Sequence, residues 1–321
     1  MSAPANETAV ALCALVVHWG DRDGLGALLR AWPGEPRCAL VVVDNEGAGP
    51  PSGELPPRTT WISARHNLGF AGGVNRALRA TSAPFVLLLN PDAHPQPGAL
   101  AALLDGFARH PEAAGLAPRL VGAGDTPQHR WQLRPLPRAR DLLGQALFLP
   151  LPAGAAREPE AGEQVAQPAA AALALRREVL VELGGLDEGF YPAWFEDVDL
   201  CRRLAARGHR LLYWPRATFR HGLGGSVESL GYGAFLWVYA RSLRRYAATH
   251  HSRWLAGALR LVLAVGAILR LALLPLRRPR RAPSRAAAAR ALLALAVGAI
   301  SGWRLPRPLR DRFARPPLEA S

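Results

Sequence analysis

The sequence contains no lysine, so all 39 of its basic residues are arginines. We attribute this bias to the base composition of the coding DNA and draw no chemistry from it. Cysteine is scarce as well: its three residues, Cys13, Cys38 and Cys201, are scattered without a CxxC pair or any other metal-ligand spacing. This distribution argues against a cysteine-ligated metal, and it predicts small buried side chains in a reducing compartment.

Acidic residues are almost absent from the last quarter of the chain. Residues 240–321 contain 17 arginines and two acidic residues, a net charge of +15, whereas residues 1–239 contain 22 arginines and 23 acidic residues. The basic excess therefore belongs entirely to the C-terminal region. A balanced body with a basic tail predicts an anionic partner for the tail, either a membrane surface or a nucleic acid.

The N-terminus has no basic segment of the kind that opens a secretory signal peptide, and its first apolar run continues into charged residues. We therefore expect no signal peptide. A chain of 321 residues, of which 50% are apolar, is long enough for one large or two modest domains with a packed core.

Short apolar runs alternate with helix-like segments over the first third of the sequence. The patterns predict strands at 37–45, 59–63 and 85–89, and helices at 24–32, 75–80 and 98–110. This alternation predicts an α/β doubly wound sheet. Ligands of such sheets bind at the carboxyl ends of the strands, where the polar candidates are Asp44, Asn45, Asn90 and Asp92.

Three acidic residues, Glu196, Asp197 and Asp199, stand within four positions directly after an aromatic run. Acidic residues at a helix N-terminus have a simple explanation, because they complement the helix dipole. That explanation accounts for one of the two aspartates. It does not account for three acids behind an aromatic run with His221 downstream, so we expect a functional site here.

The segments after the acids have local signals of their own. Residues 200–207 predict a helix that Gly208 ends. A strand-like RLLYW follows, and we expect Pro215 to close it.

Residues 67–75, NLGFAGGVN, are rich in glycine and precede a predicted helix. Such a loop lets backbone N–H groups approach a phosphate, and a helix N-terminus favours negative charge. A plain turn is equally consistent, since the segment does not match GxGxxG.

The Asn90-Pro91-Asp92 turn places a carboxylate at the tip of a buried strand. A hard divalent cation that bridges a diphosphate uses such an oxygen ligand together with waters. An ordinary Asx-Pro turn explains the pattern equally well. His221 is a candidate second ligand, although a lone histidine is more often structural.

Taken together, these segments resemble the family 2 glycosyltransferases, and within them the rhamnosyltransferase-like group. The resemblance covers roughly residues 8–250, and six segments match in order: VVVDN (41–45), NLGFAGGVN (67–75), LLNPD (88–92), GGLDEGF (184–190), FEDVDLCR (195–202) and HGLGGS (221–226). The sequence departs from the family pattern at Asn90, the first position of a DxD-like motif, and after Asn45, where Glu-Gly replaces a small polar residue.

The resemblance implies a GT-A fold that binds a nucleotide-diphosphate sugar and inverts its anomeric centre. It implies a catalytic base at Asp197 and a Mg²⁺ or Mn²⁺ site at Asp92 and His221. The implied donor-binding residues are Asp44, Asn45, Asn67, Gly69, Gly72, Asn75 and Asn90. The implied acceptor and sugar pocket contains Glu196, Asp199, Trp194 and Tyr191, of which the two aromatic residues are equally consistent with core packing.

The same roles make chemical sense. Displacement at an anomeric carbon needs a carboxylate to take the proton of the incoming hydroxyl, and a cation to stabilise the leaving diphosphate. These two groups should stand on opposite sides of the donor sugar.

The C-terminal region is apolar as well as basic. Apart from Arg260 and Arg270, residues 254–276 are apolar, glycine or proline, and a second apolar run covers 286–303. A membrane-spanning helix needs about 20 apolar residues, but each central arginine costs at least ~2.5 kcal/mol. We favour a helix in the membrane interface whose arginines snorkel to the headgroups. A soluble hairpin and a true span are the alternatives.

The arginines at 277–285 and 304–315 suit anionic lipids. We therefore predict a catalytic domain at 1–240 with a loop-rich insertion at 121–167, and a basic, apolar, helical region at 241–321. The predicted location is cytoplasmic, peripheral at the inner face of the plasma membrane.

The predicted function is metal-dependent, inverting transfer of a sugar, rhamnose from dTDP-rhamnose, to a lipid-linked or cell-envelope glycan. The first alternative is an inactive sugar-nucleotide or glycan-binding module at the membrane. The second is a nucleic-acid binder, which would bind with a steep salt dependence. The apolar runs between the arginines favour lipid, so no nucleic acid partner is expected.

Overall fold

The computed structural model describes residues 9–149, 154–222, 230–276, 279 and 281–302. Within these residues the centre is a nine-stranded mixed sheet in the order β3-β2-β1-β4-β10-β6-β11-β5, with β8 also paired to β11. A separate pair joins β7 and β9. The strands are β1 (Leu12–His18), β2 (Cys38–Asp44), β3 (Thr59–Ser63), β4 (Phe85–Leu89), β5 (Ala93–Pro95), β6 (Ala113–Val121), β7 (Leu133–Arg134), β8 (Gln164–Val165), β9 (Gln167–Pro168), β10 (Ala172–Arg176) and β11 (Arg210–His221).

Helices cover both faces of the sheet. They are α1 (Arg22–Ala31), α2 (Gly69–Leu78), α3 (Ala99–Arg109), α4 (His129–Gln132), α5 (Ala139–Ala146), α6 (Arg177–Glu182), α7 (Glu196–Ala206), α8 (Tyr232–His250), α9 (Arg253–Leu273) and α10 (Arg285–Ser301).

The apolar runs form strands because both of their faces are buried. Alternate residues of β1 and β2, such as Leu12 and Leu40, pack with α1 and α3 on one face. Their neighbours, such as Leu15 and Val41, pack with α2, α6 and α7 on the other. Since β1 also pairs in parallel with β2 and β4, the prediction of a doubly wound α/β sheet is confirmed.

Strand β10 runs antiparallel between β4 and β6. Its N-terminal end therefore lies at the edge of the sheet where β4 and β6 have their carboxyl ends. The parallel strands β1 and β2 end at the same edge, and β11, parallel to β6, ends there with His221.

Two predicted boundaries are wrong. Helix α2 begins at Gly69 and not at residue 75, so most of the glycine-rich segment is itself helical. Strand β11 passes through Pro215, because its register with β6 shifts between Trp214 and Thr218. Such a bulge accommodates a proline that cannot donate to the sheet.

The predicted loop-rich insertion at 121–167 contains α4, β7, α5 and β8. Its first part is fastened to β6, since Gln128 N–H donates to Leu120 O at 2.9 Å and the buried Gln132 side chain donates to Pro118 O at 2.7 Å. Ordered structure thus begins directly after β6.

Helices α8, α9 and α10 pack around a shared apolar cluster that includes Leu243, Leu259 and Leu292. Phe190 and Phe195 from the segment before α7 belong to the same cluster. The C-terminal helices are therefore continuous with the body, and the predicted division at residue 240 falls inside α8. The division into domains stays a prediction.

The two central arginines of α9 bind backbone carbonyls of the protein. Arg260 Nε donates to Ala299 O at 2.8 Å, and its guanidinium also bonds Ile300 O, at the end of α10. Arg270 donates to Phe148 O at 2.6 Å and lies over the Phe148 ring. The expectation that these arginines snorkel to lipid headgroups is therefore wrong, because each caps exposed carbonyl groups instead.

The outward side of α9 and α10 is apolar. Large exposed apolar side chains occur at Trp254, Leu261, Val265, Ile268, Leu269, Leu273, Leu276, Leu293, Val297 and Ile300. We call these residues the apolar face. Among the described residues α9 is the one helix long and apolar enough to cross a membrane, by length and composition. The arginine-rich residues 277, 278, 280 and 304–315 lie outside the described part of the chain.

Candidate active site

A cavity of about 270 Å³ opens at the carboxyl edge of the sheet. Seven residues singled out from the sequence line it, namely Asn45, Asn67, Gly69, Asn90, Trp194, Glu196 and Asp197. They come from the ends of β2 and β4 and the starts of α2 and α7. The expectation that strand ends build the site matches this placement.

The asparagines shape the entrance to α2. Asn45 Nδ2 donates to Gly69 O at 3.1 Å, and its Oδ1 accepts the Leu68 N–H at 3.2 Å. Asn67 Oδ1 accepts the Gly69 N–H at 2.8 Å. These bonds fix the loop against the end of β2.

The first N–H groups of α2 are already bonded to the protein. The Gly69 N–H donates to Asn67 Oδ1, and the Phe70 N–H donates to Pro192 O at 2.8 Å. The structure therefore does not support the expectation that these two groups cradle a phosphate. The glycine serves close packing instead, since Gly69 has φ +71° and a Cβ there would lie 2.9 Å from both Pro192 O and the Tyr191 ring.

Three predicted donor-binding residues lie outside the cavity lining. Both carboxylate oxygens of the buried Asp44 accept N–H groups, from Glu46 at 2.9 Å and from Gly49 at 3.0 Å. Asn75 bonds both backbone groups of Leu186 at 2.9 Å. These side chains brace turns, and nucleoside binding by Asp44 stays a prediction.

The third of these residues is Gly72, which lies inside helix α2. A Cβ there would approach Leu68 of the same segment at 3.1 Å. The close approach of Leu68 therefore explains why a residue without a side chain fits at position 72.

The structure brings Asp92 and His221 together. Strand β5 pairs with β11 so that Ala93 lies opposite His221, and the Gly222 N–H donates to Asp92 O at 3.0 Å. His221 Nε2 then lies 3.5 Å from Asp92 Oδ1. Both side chains are mostly buried beside Pro91 and Trp131 of the cavity wall.

The hydrogen bonds of this pair leave two acceptor atoms facing each other. Gln128 Nε2 donates to His221 O at 3.0 Å, so its Oε1 accepts from His221 Nδ1–H at 3.0 Å. In the neutral ring Nε2 then carries a lone pair, directed toward Asp92 Oδ1, a buried atom with no hydrogen-bond partner within the described part of the chain. A carboxylate oxygen and an imidazole nitrogen in this arrangement fit a divalent cation.

In the described part of the chain, no group of three or more His, Cys, Asp or Glu residues gathers in a metal-binding arrangement. Asp92 and His221 are thus a two-residue candidate site.

The acids stand at a strained turn. Trp194 has φ +73° and Phe195 has φ +72°, and consecutive non-glycine residues in the left-handed region cost roughly 1–3 kcal/mol each. Phe195 is the N-cap residue of α7, so the turn delivers Trp194, Glu196 and Asp197 to the cavity wall.

Asp197 is held by two backbone N–H groups, from Val198 at 2.8 Å and from Ala170 at 3.4 Å. Burial nevertheless raises its pKa above the usual value, against the effect of these bonds and of the Arg134 charge. A carboxylate with a raised pKa is a stronger base than an ordinary aspartate.

Glu196 is 8% exposed, and its Oε2 atom has no hydrogen-bond partner among the described residues. Burial raises its pKa well above the usual value, and the charge of Asp197 raises it further. An unpartnered buried carboxyl at a cavity wall is suited to bind a ligand hydroxyl.

Asp199 is directed elsewhere. It is 1% exposed, its Oδ2 accepts from Arg203 Nε at 2.8 Å, and its Oδ1 lies 2.6 Å from His250 Nε2 of α8. The first bond lies within α7 and the second joins α7 to α8. Asp199 does not line the cavity, and its role in the sugar pocket stays a prediction.

The two predicted aromatic residues differ as well. Trp194 lines the cavity and meets Phe235 edge to face at 5.1 Å between ring centroids. Tyr191 packs beside the cavity, where its hydroxyl donates to Asn67 O at 3.2 Å.

Sequence reasoning missed Trp19, Gln128 and Trp131. Trp19 and Trp131 line the cavity, and the Trp131 ring centroid lies 5.1 Å from that of His221. Trp19 directly follows β1, so the strand-end rule contains a signal for it. Gln128 and Trp131 lie in the aperiodic insertion, which offers none.

Comparison with known proteins identifies the family of the chain. The family model "Glycosyltransferase like family 2" matches residues 52–254. The chain is 35% identical over 158 residues to the "Pre-mycofactocin glycosyltransferase" of Mycobacterium tuberculosis, with 49% of this chain and 30% of that protein covered. It thus spans about a third of the length of that relative.

A second relative and a solved structure are also similar. The "N-acetylglucosaminyl-diphospho-decaprenol L-rhamnosyltransferase" of M. tuberculosis is 27% identical over 266 residues, covering 76% of this chain and 86% of that protein. The crystal structure of "GalNAc-T7 with UDP, GalNAc and Mn2+" superposes with a TM-score of 0.52 at 13% identity, over 75% of this chain and 48% of that one.

The fold is that of the GT-A glycosyltransferases. Since the family model covers more than half of its length, the chain belongs to the glycosyltransferase family 2-like proteins.

Proposed function

We propose that the chain transfers a sugar from a nucleotide-diphosphate donor to a lipid-linked or cell-envelope glycan, with inversion at the anomeric carbon. The observation that carries the proposal is the placement of Asp197 at the cavity wall, with the Asp92–His221 pair beside the same cavity.

In the proposed reaction the acceptor hydroxyl oxygen attacks the anomeric carbon. The bond from that carbon to the diphosphate oxygen breaks, and the nucleotide diphosphate leaves with the electron pair. Asp197 takes the proton of the hydroxyl. The N–H groups of Val198 and Ala170 donate to this carboxylate and hold it in place. A single displacement inverts the configuration at the anomeric carbon.

Asp92 and His221 are the residues proposed to hold Mg²⁺ or Mn²⁺. When bound, the ion supplies positive charge that stabilises the leaving diphosphate. The assignment is supported by Asp92 Oδ1, which has no hydrogen-bond partner in the residues that the structure describes, and by the His221 Nε2 atom directed at it.

Three tryptophans, Trp19, Trp131 and Trp194, line the cavity. Their flat apolar faces suit the faces of sugar rings or a nucleobase. Glu196 is proposed to bind a hydroxyl of the donor sugar or the acceptor, because its buried Oε2 atom has no hydrogen-bond partner among the residues described.

The proposed donor is dTDP-rhamnose. It is supported by the rhamnosyltransferase relative, whose alignment covers 76% of this chain. The name of that relative states a diphospho-decaprenol substrate, which supports a polyprenyl-linked acceptor.

The proposed location is peripheral, at the inner face of the plasma membrane. The apolar face is free of the two central arginines, because Arg260 and Arg270 are bonded to carbonyl groups of the protein. Exposed apolar side chains in a stretch of sequence with a net charge of +15 fit an anionic lipid surface. A lipid-linked acceptor would be present on that surface.

The test is donor turnover. Purified protein with Mn²⁺ is incubated with a panel of nucleotide sugars and a polyprenyl-diphosphate acceptor, and nucleotide release is measured with and without EDTA. We expect release from dTDP-rhamnose that EDTA abolishes. Release that EDTA does not change would overturn the metal assignment, and turnover of a different sugar alone would replace the donor. Binding without turnover of any donor would support the alternative of an inactive sugar-nucleotide-binding module.

A further inference from the structure

We propose that Gln128 is a positioning residue, which fixes the His221 ring so that Nε2 is held toward Asp92 and ready for the divalent cation. This inference rests on the proposed function, since it concerns the metal ligands proposed above.

The Gln128 amide bonds His221 twice. Its Nε2 donates to the His221 carbonyl, and its Oε1 accepts from the Nδ1 atom of the ring, both at 3.0 Å. The reverse amide orientation would place two oxygens against each other at the carbonyl. The amide therefore selects the Nδ1–H tautomer and leaves Nε2 as the ligand atom, as the hydrogen-bond partner of a metal-binding histidine commonly does.

Gln128 is itself held before any ligand binds. Its side chain is buried, and its N–H and carbonyl groups bond Leu120 O and the N–H groups of Trp131 and Gln132. Helix α4 is thereby fastened to β6, the parallel neighbour of β11. Little conformational freedom is left to lose when the metal binds.

The same short helix covers the ring. The Trp131 ring is tilted 33° to that of His221, with 5.1 Å between centroids. Gln128 thus fixes the edge of the imidazole while Trp131 restricts its face. The start of the predicted loop-rich insertion thus positions the His221 ring, a role that its sequence does not reveal.

The simplest competing role is structural, in which Gln128 only satisfies the carbonyl at the end of β11. The chain offers a matched control, because Gln132 is also a buried glutamine of α4 and donates to Pro118 O at 2.7 Å. Gln132→Met removes a structural bond of the same helix without touching His221.

The experiment titrates Mn²⁺ into the full chain in the presence of dTDP, and separately of UDP, and measures free Mn²⁺ by electron paramagnetic resonance. The variants are Gln128→Met, Gln132→Met and His221→Ala. We expect Gln128→Met to weaken Mn²⁺ binding about 10- to 100-fold, the usual effect of losing such a partner. Gln132→Met should stay within about threefold of the wild-type protein by the same reasoning. Should Gln128→Met fold poorly, Gln128→Leu is the second variant, with the same expected loss of Mn²⁺ affinity.

The outcomes distinguish a failure of the positioning role of Gln128 from a failure of the proposed metal site. If His221→Ala weakens Mn²⁺ binding but Gln128→Met does not, the positioning role is overturned and the proposed metal site stands. Equal losses in Gln128→Met and Gln132→Met would also overturn it, since helix α4 as a whole would then be responsible. If His221→Ala has no effect, the metal assignment itself fails.

A second readout is independent of metal and activity. Long-range ¹H–¹⁵N correlation spectra of ¹⁵N-histidine-labelled protein report which ring nitrogen carries the proton, and His221→Ala identifies the signal. We expect the Nδ1–H tautomer in the metal-free wild-type protein and a mixture in Gln128→Met. An unchanged tautomer in Gln128→Met would contradict the proposal.

Discussion

Three acidic side chains in the first turn of α7 reach three different environments. Asp197 lies at the cavity wall with two N–H donors, and Asp199 is enclosed between Arg203 and His250. Glu196 is buried at the wall, where its Oε2 atom has no partner in the described ranges of the chain. The sequence places all three within four positions but does not show which way each side chain points, because neighbouring helix positions face different directions.

The position of Asp199 gives a stability prediction. Asp199→Asn should destabilise the fold by about 3 kcal/mol, because removing one partner of a buried ion pair is costly; the 20% exposure of the Arg203 side chain keeps the loss at the low end. Denaturant unfolding measures the change. Transfer activity per folded molecule should stay within a few-fold of wild type. Lost activity with unchanged stability would return Asp199 to the sugar pocket.

The environment of Asp197 gives a pH prediction. The base acts when deprotonated, so the rate rises with pH through its pKa. Because burial raises that pKa, the acidic limb of kcat/KM should lie at higher pH than for an ordinary aspartate. The Arg134 charge lowers the same pKa, so Arg134→Gln should shift the limb to still higher pH. A shift toward lower pH would contradict the account.

At the scale of elements, helix α2 is positioned largely by contacts with residues that are distant from it in the sequence. The glycine-rich segment favours a loop by composition, yet from Gly69 it is helical, because Asn45, Asn67 and Pro192 bond its start. The strands β2 and β4 were predictable to within a residue or two, since burial on both faces gives continuous apolar runs. Strand β3 has the predicted bounds as well, although its residues are exposed or only partly buried. Helix α4 was not, since Gln132 and the N-cap residue Gln128 hold it by bonds to β6 and β11, which are distant in the sequence.

Two glycines separate the cost of backbone strain from that of a close contact. Gly98 has φ +78° and open space where a Cβ would stand, whereas Gly69 has φ +71° and atoms at 2.9 Å. Gly98→Ala should cost about 1–2 kcal/mol from the left-handed backbone alone. Gly69→Ala should cost clearly more in the free energy of unfolding. Equal costs would mean that residues 191–192 do not pack against α2 as described.

At the scale of the whole molecule, the apolar face belongs to the C-terminal helices, which pack on the body. The basic excess lies in the same stretch of the sequence, residues 240–321. The composition of the sequence indicated a membrane-facing region, but the hydrogen-bond partners of Arg260 and Arg270 could not be predicted from it. Those partners are carbonyl groups distant in the chain, at the end of α10 and after α5.

The apolar face gives a membrane-binding prediction. Leu261→Glu and Ile268→Glu, which replace exposed side chains of α9, should each weaken sedimentation with phosphatidylglycerol vesicles about tenfold or more, because burial of such a side chain contributes about 1.5–3 kcal/mol. Val181→Glu is the control, since Val181 is also exposed but lies on α6. Equal effects of all three substitutions, or none, would remove the apolar face as the lipid contact.

The central claim is that Asp197 is the base of an inverting transfer. The most direct measurement is the single-turnover transfer rate of Asp197→Asn, with nucleotide affinity determined on the same protein and Asp187→Asn as a control outside the cavity. The account predicts a rate lower by about 10²- to 10⁴-fold, nucleotide affinity close to wild type, and an unaffected control. A rate within tenfold of wild type, or a loss explained by nucleotide binding alone, would contradict it.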